Sequence, residues 1–304
     1  MEHIRLTILG SGSALANKHA FNASQIVEVR GSCYMIDCGE GAQIRLRECG
    51  IDYNRIKAIF ISHLHADHCS GLPSLISTMS MVGRTKDLHV FAYKDLEKIL
   101  RPMIEYFLGK ESFPIVFHSV NPNKKQCIYE DKNFIVSTIP LSHRVPTCGF
   151  LFEETPKPRH LIPEMLEAFN VPIRDRQAIK NGADFVDSEG FVVENSRLTT
   201  PPTPSRRYAY ISDSLPLVRV AEQIGAVDCL FHEATYLNEH KERAKETLHS
   251  TAEQAAEIAS RANAKRLVIG HFSARYRWTE EFLHEAQQVF GQTILAKDGL
   301  VVEF

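Results

Sequence analysis

The densest group of chemically capable side chains lies between His63 and His68, where three histidines and one aspartate occur within six residues. This segment directly follows the apolar run at residues 58–61. Alternation at a strand end can point His63 and His65 toward one metal ion and turn Asp67 and His68 toward a second. So many ligand-type residues in so short a segment favour a metal site over a solvated polar loop.

Other ligand-type residues follow other predicted strands, namely Asp37, His143, Asp213 and His271. Active sites of α/β sheets gather at strand ends, so we expect these side chains to converge. The predicted ligand sets are His63, His65 and His143 for one ion, and Asp67, His68 and His271 for the other, with Asp213 as the bridge. Asp37 is expected to orient a ligand without binding metal itself.

The ligand types indicate which metal and which reaction to expect. Imidazole nitrogen and carboxylate oxygen without thiolate suit Zn²⁺, although the same ligands also accept Mn²⁺ or Fe²⁺. Two ions roughly 3.5–4 Å apart can hold a bridging hydroxide and clamp both the attacking and the leaving oxygen of an in-line displacement. We therefore predict two Zn²⁺ per chain and a hydrolase that cuts phosphodiesters.

The overall composition is that of a globular protein. The chain has 304 residues, of which 44% are hydrophobic and 24% charged, and its formal net charge of −2 argues against a generally basic nucleic-acid binder. No apolar run approaches the length needed to cross a bilayer, so we predict no membrane association. The seven cysteines are scattered without a Cys-x-x-Cys pair, which fits a reducing cytoplasm.

Short β-branched segments alternate with amphipathic stretches along the chain, a pattern typical of a layered α/β fold. We predict strands at 5–9, 24–29, 33–36, 58–61, 88–91, 134–139, 208–211, 229–231, 267–269 and 300–304. We predict helices at 41–48, 72–81, 94–107, 217–223, 252–262 and 280–290. The pattern from Ser250 to Glu253 predicts a capping box at the start of the helix that follows His249.

One segment, residues 153–207, differs from the rest because its apolar periodicity is weak and it holds half of the fourteen prolines. A long irregular insertion within a compact domain is usually functional or mobile. A solvated connection between two halves of the fold is the alternative. We therefore predict a single domain over residues 1–304 that carries an insertion at 153–207.

Three later motifs identify a family resemblance: His232-Glu233-Ala234-Thr235, His249-Ser250-Thr251 and the segment from His271 to Tyr276. Together with the turn at residues 9–13 and the segment at 37–40, they resemble tRNase Z (ribonuclease Z) of the metallo-β-lactamase superfamily. The resemblance spans nearly the whole chain. It implies a four-layer αββα sandwich and a short-form enzyme, usually a homodimer, that removes the 3′ trailer from precursor tRNA and leaves a 3′-hydroxyl.

The resemblance also implies roles for individual residues. Asp67 would accept the proton of the attacking water, His249 would protonate the leaving 3′-oxygen, and Glu233 would orient His249. The insertion stands where the family carries its flexible arm, which grips tRNA and reaches toward the partner subunit. Basic residues expected to contact phosphates are Lys157, Arg159, Arg174, Arg176, Lys180, Arg206, Arg207 and Arg275.

Alternative functions remain open at this point. A phosphodiesterase for small or generic diesters is motivated by the near-neutral net charge and by the mixed charges at residues 171–180. A non-catalytic RNA-binding scaffold is a different class of protein, and the presence of every expected ligand type argues against it. A lactamase or thioesterase would not need the motifs at residues 232–235 and 249–251.

Overall fold

The computed structural model describes residues 3–15, 20–108 and 113–304. The chain divides into two compact units, a larger one of residues 1–153 and 206–304 and a smaller one of residues 154–205. All predicted metal ligands belong to the larger unit.

The first sheet of the larger unit positions the histidine-rich segment. It consists of β1 (Arg5–Gly10), β2 (Ser24–Val29), β3 (Ser32–Cys38), β4 (Ile56–Phe60), β5 (Leu88–Ala92), β6 (Ile115–Ser119) and β18 (Val301–Glu303). Their order across the sheet is β18-β1-β2-β3-β4-β5-β6. Strands β3 to β6 are parallel, so Asp37 near the end of β3 and His63 after β4 lie at the same edge.

The second sheet supplies the other predicted ligands. It consists of β7 (Cys127–Glu130), β8 (Phe134–Pro140), β9 (Cys148–Glu154), β14 (Arg207–Ile211), β15 (Cys229–Glu233), β16 (Leu267–Gly270) and β17 (Thr293–Leu295), in the order β17-β16-β15-β14-β9-β8-β7. Strands β14 to β17 are parallel. Asp213 and His271 therefore follow strands whose carboxyl ends lie at one edge.

Helices cover the outer face of each sheet. The larger unit contains α1 (Ala42–Glu48), α2 (Ala66–Cys69), α3 (Leu72–Met81), α4 (Asp95–Leu108), α8 (Val218–Ile224), α9 (Lys241–Thr247), α10 (Ala252–Arg261) and α11 (Glu280–Gln287). One apolar cluster, which includes Phe60 and Phe150, joins the two sheets. A second cluster joins the first sheet to α1, α3 and α4, and a third joins the second sheet to α8, α10 and α11. This layering confirms the predicted αββα fold.

Two glycines let the histidine-rich segment lie against the end of β3. A Cβ on Gly71 would lie 2.1 Å from the Gly39 carbonyl oxygen, and one on Gly39 would lie 2.4 Å from the Asp67 carbonyl oxygen. Both distances are too short for a side chain, so the backbone would have to move. The position of α2, and with it Asp67 and His68, depends on this close approach.

The smaller unit has a core of its own. It contains α5 (Pro163–Ala168), α6 (Arg176–Lys180), α7 (Asn195–Leu198) and the antiparallel pairs β10 (His160–Leu161) with β13 (Thr199–Thr200) and β11 (Phe185–Val186) with β12 (Val192–Val193). Leu166, Ile179, Phe185 and Leu198 form its buried centre. Elements this short leave little periodicity in the sequence. The prediction of a single domain with an inserted arm stays a prediction.

The predicted elements all occur, with ends displaced by at most three residues. The structure adds β6, β7, β9, β17, α2 and α9 to them, along with the short elements of the smaller unit. Among the described residues, none of the helices combines the length and the apolar character that a membrane span requires.

Candidate metal centre and active site

The first ligand group brings together His63, His65, His143 and Asp213, whose ligand atoms all lie within 4.8 Å of one another. His63 Nε2 lies 3.5 Å from Asp213 Oδ2, and His143 Nε2 lies 3.7 Å from the same oxygen. These residues come from the loops that follow β4, β8 and β14. The structure thus brings together all three residues predicted for the first ion.

The second group consists of Asp67, His68 and His271. His271 Nε2 is 3.5 Å from Asp67 Oδ2 and 3.2 Å from His68 Nε2. Asp213 Oδ1 lies 3.2 Å from His271 Nε2 and 3.5 Å from His68 Nε2, whereas Asp213 Oδ2 faces the first group. The two oxygens of one buried carboxylate therefore face the two groups, as a bridging ligand requires.

One buried nitrogen of the centre, Nε2 of His143, fits a metal ion. His143 Nδ1 donates to the Leu248 carbonyl oxygen at 3.0 Å, which leaves Nε2 with its lone pair toward the centre. That buried Nε2 has no hydrogen-bond partner in the described part of the chain. A buried, unsatisfied imidazole nitrogen facing other imidazoles and a carboxylate is costly unless a cation binds there. The donor set suits a divalent ion such as zinc.

Asp37 is fully buried and contacts the second group through His68. Asp37 Oδ2 lies 2.7 Å from His68 Nδ1 and accepts bonds from the hydroxyls of Ser62 at 2.8 Å and Tyr210 at 2.7 Å. Its Oδ1 accepts from the Ser62 amide at 2.7 Å. Holding the proton on Nδ1 turns His68 Nε2 toward the centre. Ser62 and Tyr210 were not predicted, because neither residue type signals a metal site by itself.

Burial and mutual contact shift the pKa values of the ligands. Burial lowers the pKa of His63, and the facing His68 lowers it further, so His63 is neutral. Burial also lowers the pKa of His143. Burial alone would raise the pKa of Asp213, but His271, His68 and His63 together hold it well below its usual range. The neutral imidazoles of His63 and His143 and the ionised carboxylate of Asp213 are the forms that bind metal. Burial lowers the pKa of His68, but the carboxylates of Asp213 and Asp37 outweigh this effect and raise that pKa well above its usual value.

His249 and Glu233 form a buried pair beside the first group. His249 Nδ1 lies 3.1 Å from Glu233 Oε1, and His249 Nε2 lies 4.0 Å from Asp213 Oδ2. Burial lowers the pKa of His249, but the contacts with Glu233 outweigh this effect and raise the pKa to about 9. His249 therefore carries a proton at neutral pH. It follows Leu248, whose φ of 59° is in the left-handed region.

The Glu233 carboxylate is held by donors on both oxygens. Oε1 accepts from the amides of Ser214 at 3.1 Å and Ser250 at 2.9 Å. Oε2 accepts from the amide of Thr235 at 2.9 Å and from its hydroxyl at 2.7 Å. Thr235 Oγ1 also lies 3.2 Å from His249 Nδ1 and 3.1 Å from His271 Nδ1. Thr235 lies in a motif noted in the sequence, but its contacts with both histidines were not predicted.

The capping box of α10 is formed one residue later than predicted. Thr251 Oγ1 accepts from the Gln254 amide at 3.3 Å, and Gln254 Oε1 accepts from the Thr251 amide at 3.0 Å. The prediction that Ser250 and Glu253 form this box was wrong, because the Ser250 amide donates to Glu233 instead. This arrangement links the start of α10 to the orientation of His249.

The basic residues predicted to contact RNA differ in their exposure and in their hydrogen-bond partners. In the smaller unit, Arg174 has an 84% exposed side chain, and Lys180 lines a groove with Lys157 and Arg159. The buried Nε of Arg176 has no hydrogen-bond partner within the described ranges. RNA contacts by these residues stay predictions.

In the larger unit, Arg206 donates to the Phe304 carbonyl oxygen at 2.9 Å. Arg207 donates to Glu153 at 3.0 Å and to the Ala226 carbonyl oxygen at 2.6 Å. Arg275 is exposed, with its guanidinium 5.0 Å from the ring centre of Tyr236, and that ring lies 6.2 Å from the His249 ring. The Tyr236 ring thus lies in contact with both Arg275 and His249.

An αββα fold with two groups of metal-ligand side chains at its strand ends defines a metal-dependent hydrolase of the metallo-β-lactamase superfamily. The family model "Beta-lactamase superfamily domain" matches residues 164–272, and the model "Anti-Pycsar protein Apyc1" matches residues 4–156. The chain is 48% identical over 302 residues to ribonuclease Z of Bacteroides thetaiotaomicron, covering 99% of this chain and 96% of that protein. It belongs to the ribonuclease Z family and is an endoribonuclease.

Two further relatives support the same family. Ribonuclease Z of Phocaeicola vulgatus is 47% identical over 302 residues, covering 99% of this chain and 98% of the relative. The crystal structure of human tRNase Z, short form, has a TM-score of 0.70 and 25% identity, covering 98% of both chains. These relatives confirm the family that the motifs indicated.

Proposed function

We propose that this protein removes the 3′ trailer from precursor tRNA by hydrolysing one phosphodiester bond. The observation that carries the proposal is the 48% identity to a ribonuclease Z over nearly the whole chain. The ligand groups and the His249–Glu233 pair support it, because hydrolysis at an alkoxide leaving group needs both charge stabilisation and a proton donor.

We further propose that two zinc ions occupy the two ligand groups. His63, His65 and His143 would hold one, Asp67, His68 and His271 would hold the other, and Asp213 would contact both. When bound, such ions activate water and stabilise the charge that develops on the phosphate. The bridging orientation of Asp213 and the unpartnered Nε2 of His143 support this assignment.

The remaining steps are proton transfers by residues of the chain. Asp67 would accept the proton of the attacking water, since its side chain is 11% exposed and faces the centre beside His271. The protonated Nε2 of His249 would donate to the leaving 3′-oxygen, while Glu233 stabilises the imidazolium through Nδ1. Both transfers would occur beside the shared carboxylate of Asp213.

A cleavage assay with mapped product ends tests the substrate. The full-length protein with added zinc should cut a precursor tRNA after the discriminator base and leave a 3′-hydroxyl on the tRNA. A mature tRNA and a small aryl phosphodiester serve as comparison substrates. Equal turnover of the aryl diester with no preference for tRNA would favour a generic phosphodiesterase, and RNA binding without cleavage would favour a scaffold.

Removing the metal should lower both activity and stability. Dialysis against a chelator is expected to abolish cleavage, because it removes the cations that the buried histidines and carboxylates need. A ligand present at about 100 times its Kd stabilises the folded state by about 2.7 kcal/mol, so the melting temperature should fall by several degrees. Metal analysis, calorimetry and add-back of Zn²⁺, Mn²⁺ or Fe²⁺ check the result. A melting temperature and an activity that do not change with metal content would contradict the proposal.

We also propose a homodimer in the cytoplasm. One face of α4 presents Ile99, Met103, Tyr106 and Phe107, whose exposed fractions are 56%, 39%, 84% and 62%. Exposed apolar side chains at this helical spacing are typical of a protein interface. The precursor tRNA substrate and the seven free cysteines support a reducing cytoplasmic location. Sedimentation of the full chain as one monomeric species would exclude the dimer.

The smaller unit is proposed to bind tRNA without taking part in the hydrolysis. Replacing residues 163–199 with a short Gly-Ser linker should weaken precursor tRNA cleavage at least tenfold in kcat/KM. The same variant should leave hydrolysis of a small aryl diester unchanged, because the metal ligands lie in the larger unit. Steady-state kinetics on both substrates provide the measurement. Unaltered tRNA processing would show that the insertion is not a tRNA-binding arm.

A further inference from the structure

Asp298 lies outside the predicted ligand sets but connects to the residues around them. It lies in the turn between β17 and β18, where the Gly299 amide donates to the Ile8 carbonyl oxygen at 2.7 Å. Asp298 Oδ1 accepts from the amide of Ser11 at 3.0 Å and from its hydroxyl at 2.8 Å. Asp298 Oδ2 accepts from the Phe21 amide at 2.8 Å. One carboxylate thus accepts hydrogen bonds from both Ser11 and Phe21. The Gly12 amide, next to Ser11, also donates to the Phe21 carbonyl oxygen at 2.9 Å.

The segment that Asp298 holds contacts two of the predicted ligands directly. The Ser11 carbonyl oxygen accepts from the His271 amide at 2.8 Å. Three residues later, the Ala14 amide donates to Asp67 Oδ2 at 2.8 Å. Asp67 Oδ2 is also the oxygen that lies 3.5 Å from His271 Nε2, so the segment contacts both members of this pair of predicted ligands.

The backbone at these contacts needs support. His271 has a φ of 63° and Ala14 has a φ of 52°, both in the left-handed region that residues other than glycine rarely adopt. Residues in such conformations persist when surrounding contacts determine them. The Ser11 carbonyl bond to His271 and the Asp298 bonds to Ser11 form one such set of contacts.

We propose that Asp298 is a positioning residue for the second ligand group, formed by Asp67, His68 and His271. It acts through Ser11 on the His271 backbone and, further along the same segment, through Ala14 on the Asp67 carboxylate. The hydrogen bonds of Asp298 do not reach the first group, formed by His63, His65 and His143. This inference rests on the proposed metal function and adds a residue that none of the sequence motifs indicated.

The test is the substitution Asp298→Asn in the full-length protein, with binding of Co²⁺ as the first readout. An asparagine keeps the shape but places an NH₂ group toward either the Ser11 or the Phe21 donors. We expect the affinity for one of two Co²⁺ ions to fall about tenfold, the lower end of the effect of losing a hydrogen-bond partner of a ligand, because Asp298 acts through Ser11. The affinity for the other ion should not change. The Co²⁺ absorption spectrum reports the altered geometry without any RNA substrate.

Asp131→Asn is the control, because Asp131 Oδ1 also accepts two backbone amides, from Asn133 and Phe134, in the turn between β7 and β8. Its Oδ2 accepts from Tyr34 and Lys57, which are not predicted ligands. Both variants should lower the melting temperature, but Asp131→Asn should leave Co²⁺ binding unchanged. Ser11→Ala removes only the hydroxyl bond to Asp298 and should shift the same Co²⁺ affinity less. On precursor tRNA, Asp298→Asn should lower kcat with little change in KM.

If Asp298→Asn lowers the melting temperature as Asp131→Asn does and leaves both Co²⁺ affinities unchanged, Asp298 is only a turn residue and the proposal is overturned. Equal loss of both ions would also overturn it, because the contacts reach only the second group. The binding readout does not depend on RNA cleavage, so an incorrect substrate assignment would leave this test decisive.

Discussion

Replacing Asp67 with alanine is expected to lower the kcat for precursor tRNA cleavage by more than about 10⁴-fold, the upper end of what one proton-transfer group contributes. The substitution removes a proton acceptor and also a carboxylate that faces His68 and His271. It should therefore reduce bound metal as well as activity. Single-turnover kinetics and metal analysis of the purified variant provide the two measurements.

The matched control for Asp67 is Asp52→Ala, which removes an exposed carboxylate that caps the short helix at Tyr53–Arg55. This control should keep full metal content and full activity. Near-normal cleavage by Asp67→Ala would remove Asp67 from the proposed proton transfer. Normal metal content with lost cleavage would assign it to proton transfer and exclude it as a ligand.

Replacing His249 with alanine should slow precursor tRNA cleavage by about 10²- to 10⁴-fold, the range typical of general acid catalysis. Metal content should remain nearly intact, because neither proposed ligand set includes His249, whose Nδ1 lies 3.1 Å from Glu233 Oε1. The loss should be much smaller for an activated aryl phosphodiester, because an aryl oxide leaves as a stable anion and needs no proton. The ratio of the rate loss on precursor tRNA to the rate loss on the aryl diester is the measurement that identifies His249 as a general acid.

His240→Ala is the control for His249, since His240 lies in the neighbouring short helix and is 38% exposed. It should leave both reactions unchanged. Equal losses on tRNA and on the aryl diester would show that His249 is not the proton donor for the leaving oxygen. Loss of metal equal to that of Asp67→Ala would contradict the separation of ligand and acid roles.

The sequence determined the residues that could carry the chemistry and most of the elements that position them. The segment from His63 to His68, together with His143, Asp213 and His271, predicted two ligand groups because these residue types occur after β-branched runs. In the structure these residues lie in two groups within 4.8 Å. Strong local periodicity also placed α3 at residues 72–81.

Several strands were not apparent from the sequence. The strand β9 contains Gly149, where a Cβ would lie 2.4 Å from the Tyr210 carbonyl oxygen. Glycine there permits close packing of neighbouring strands, but in a sequence it indicates a turn or a bulge. The strand β7 has four residues, none of them fully buried, so its apolar pattern is weak. Such strands form because neighbours in the sheet complete their hydrogen bonds.

Only the tertiary structure decided which partners orient the ligands. Asp37 with Tyr210, Thr235 with both His249 and His271, and Ser11 with Asp298 are pairs separated by 14 to 287 residues. Serine, threonine and tyrosine side chains have no preferred metal-site spacing, so the sequence does not distinguish them from ordinary polar residues. The one-residue shift of the α10 capping box has the same cause, because the buried Glu233 carboxylate takes the Ser250 amide. Residue type and local period are properties of the chain, whereas the second layer of contacts around a site depends on which strand ends meet in the fold.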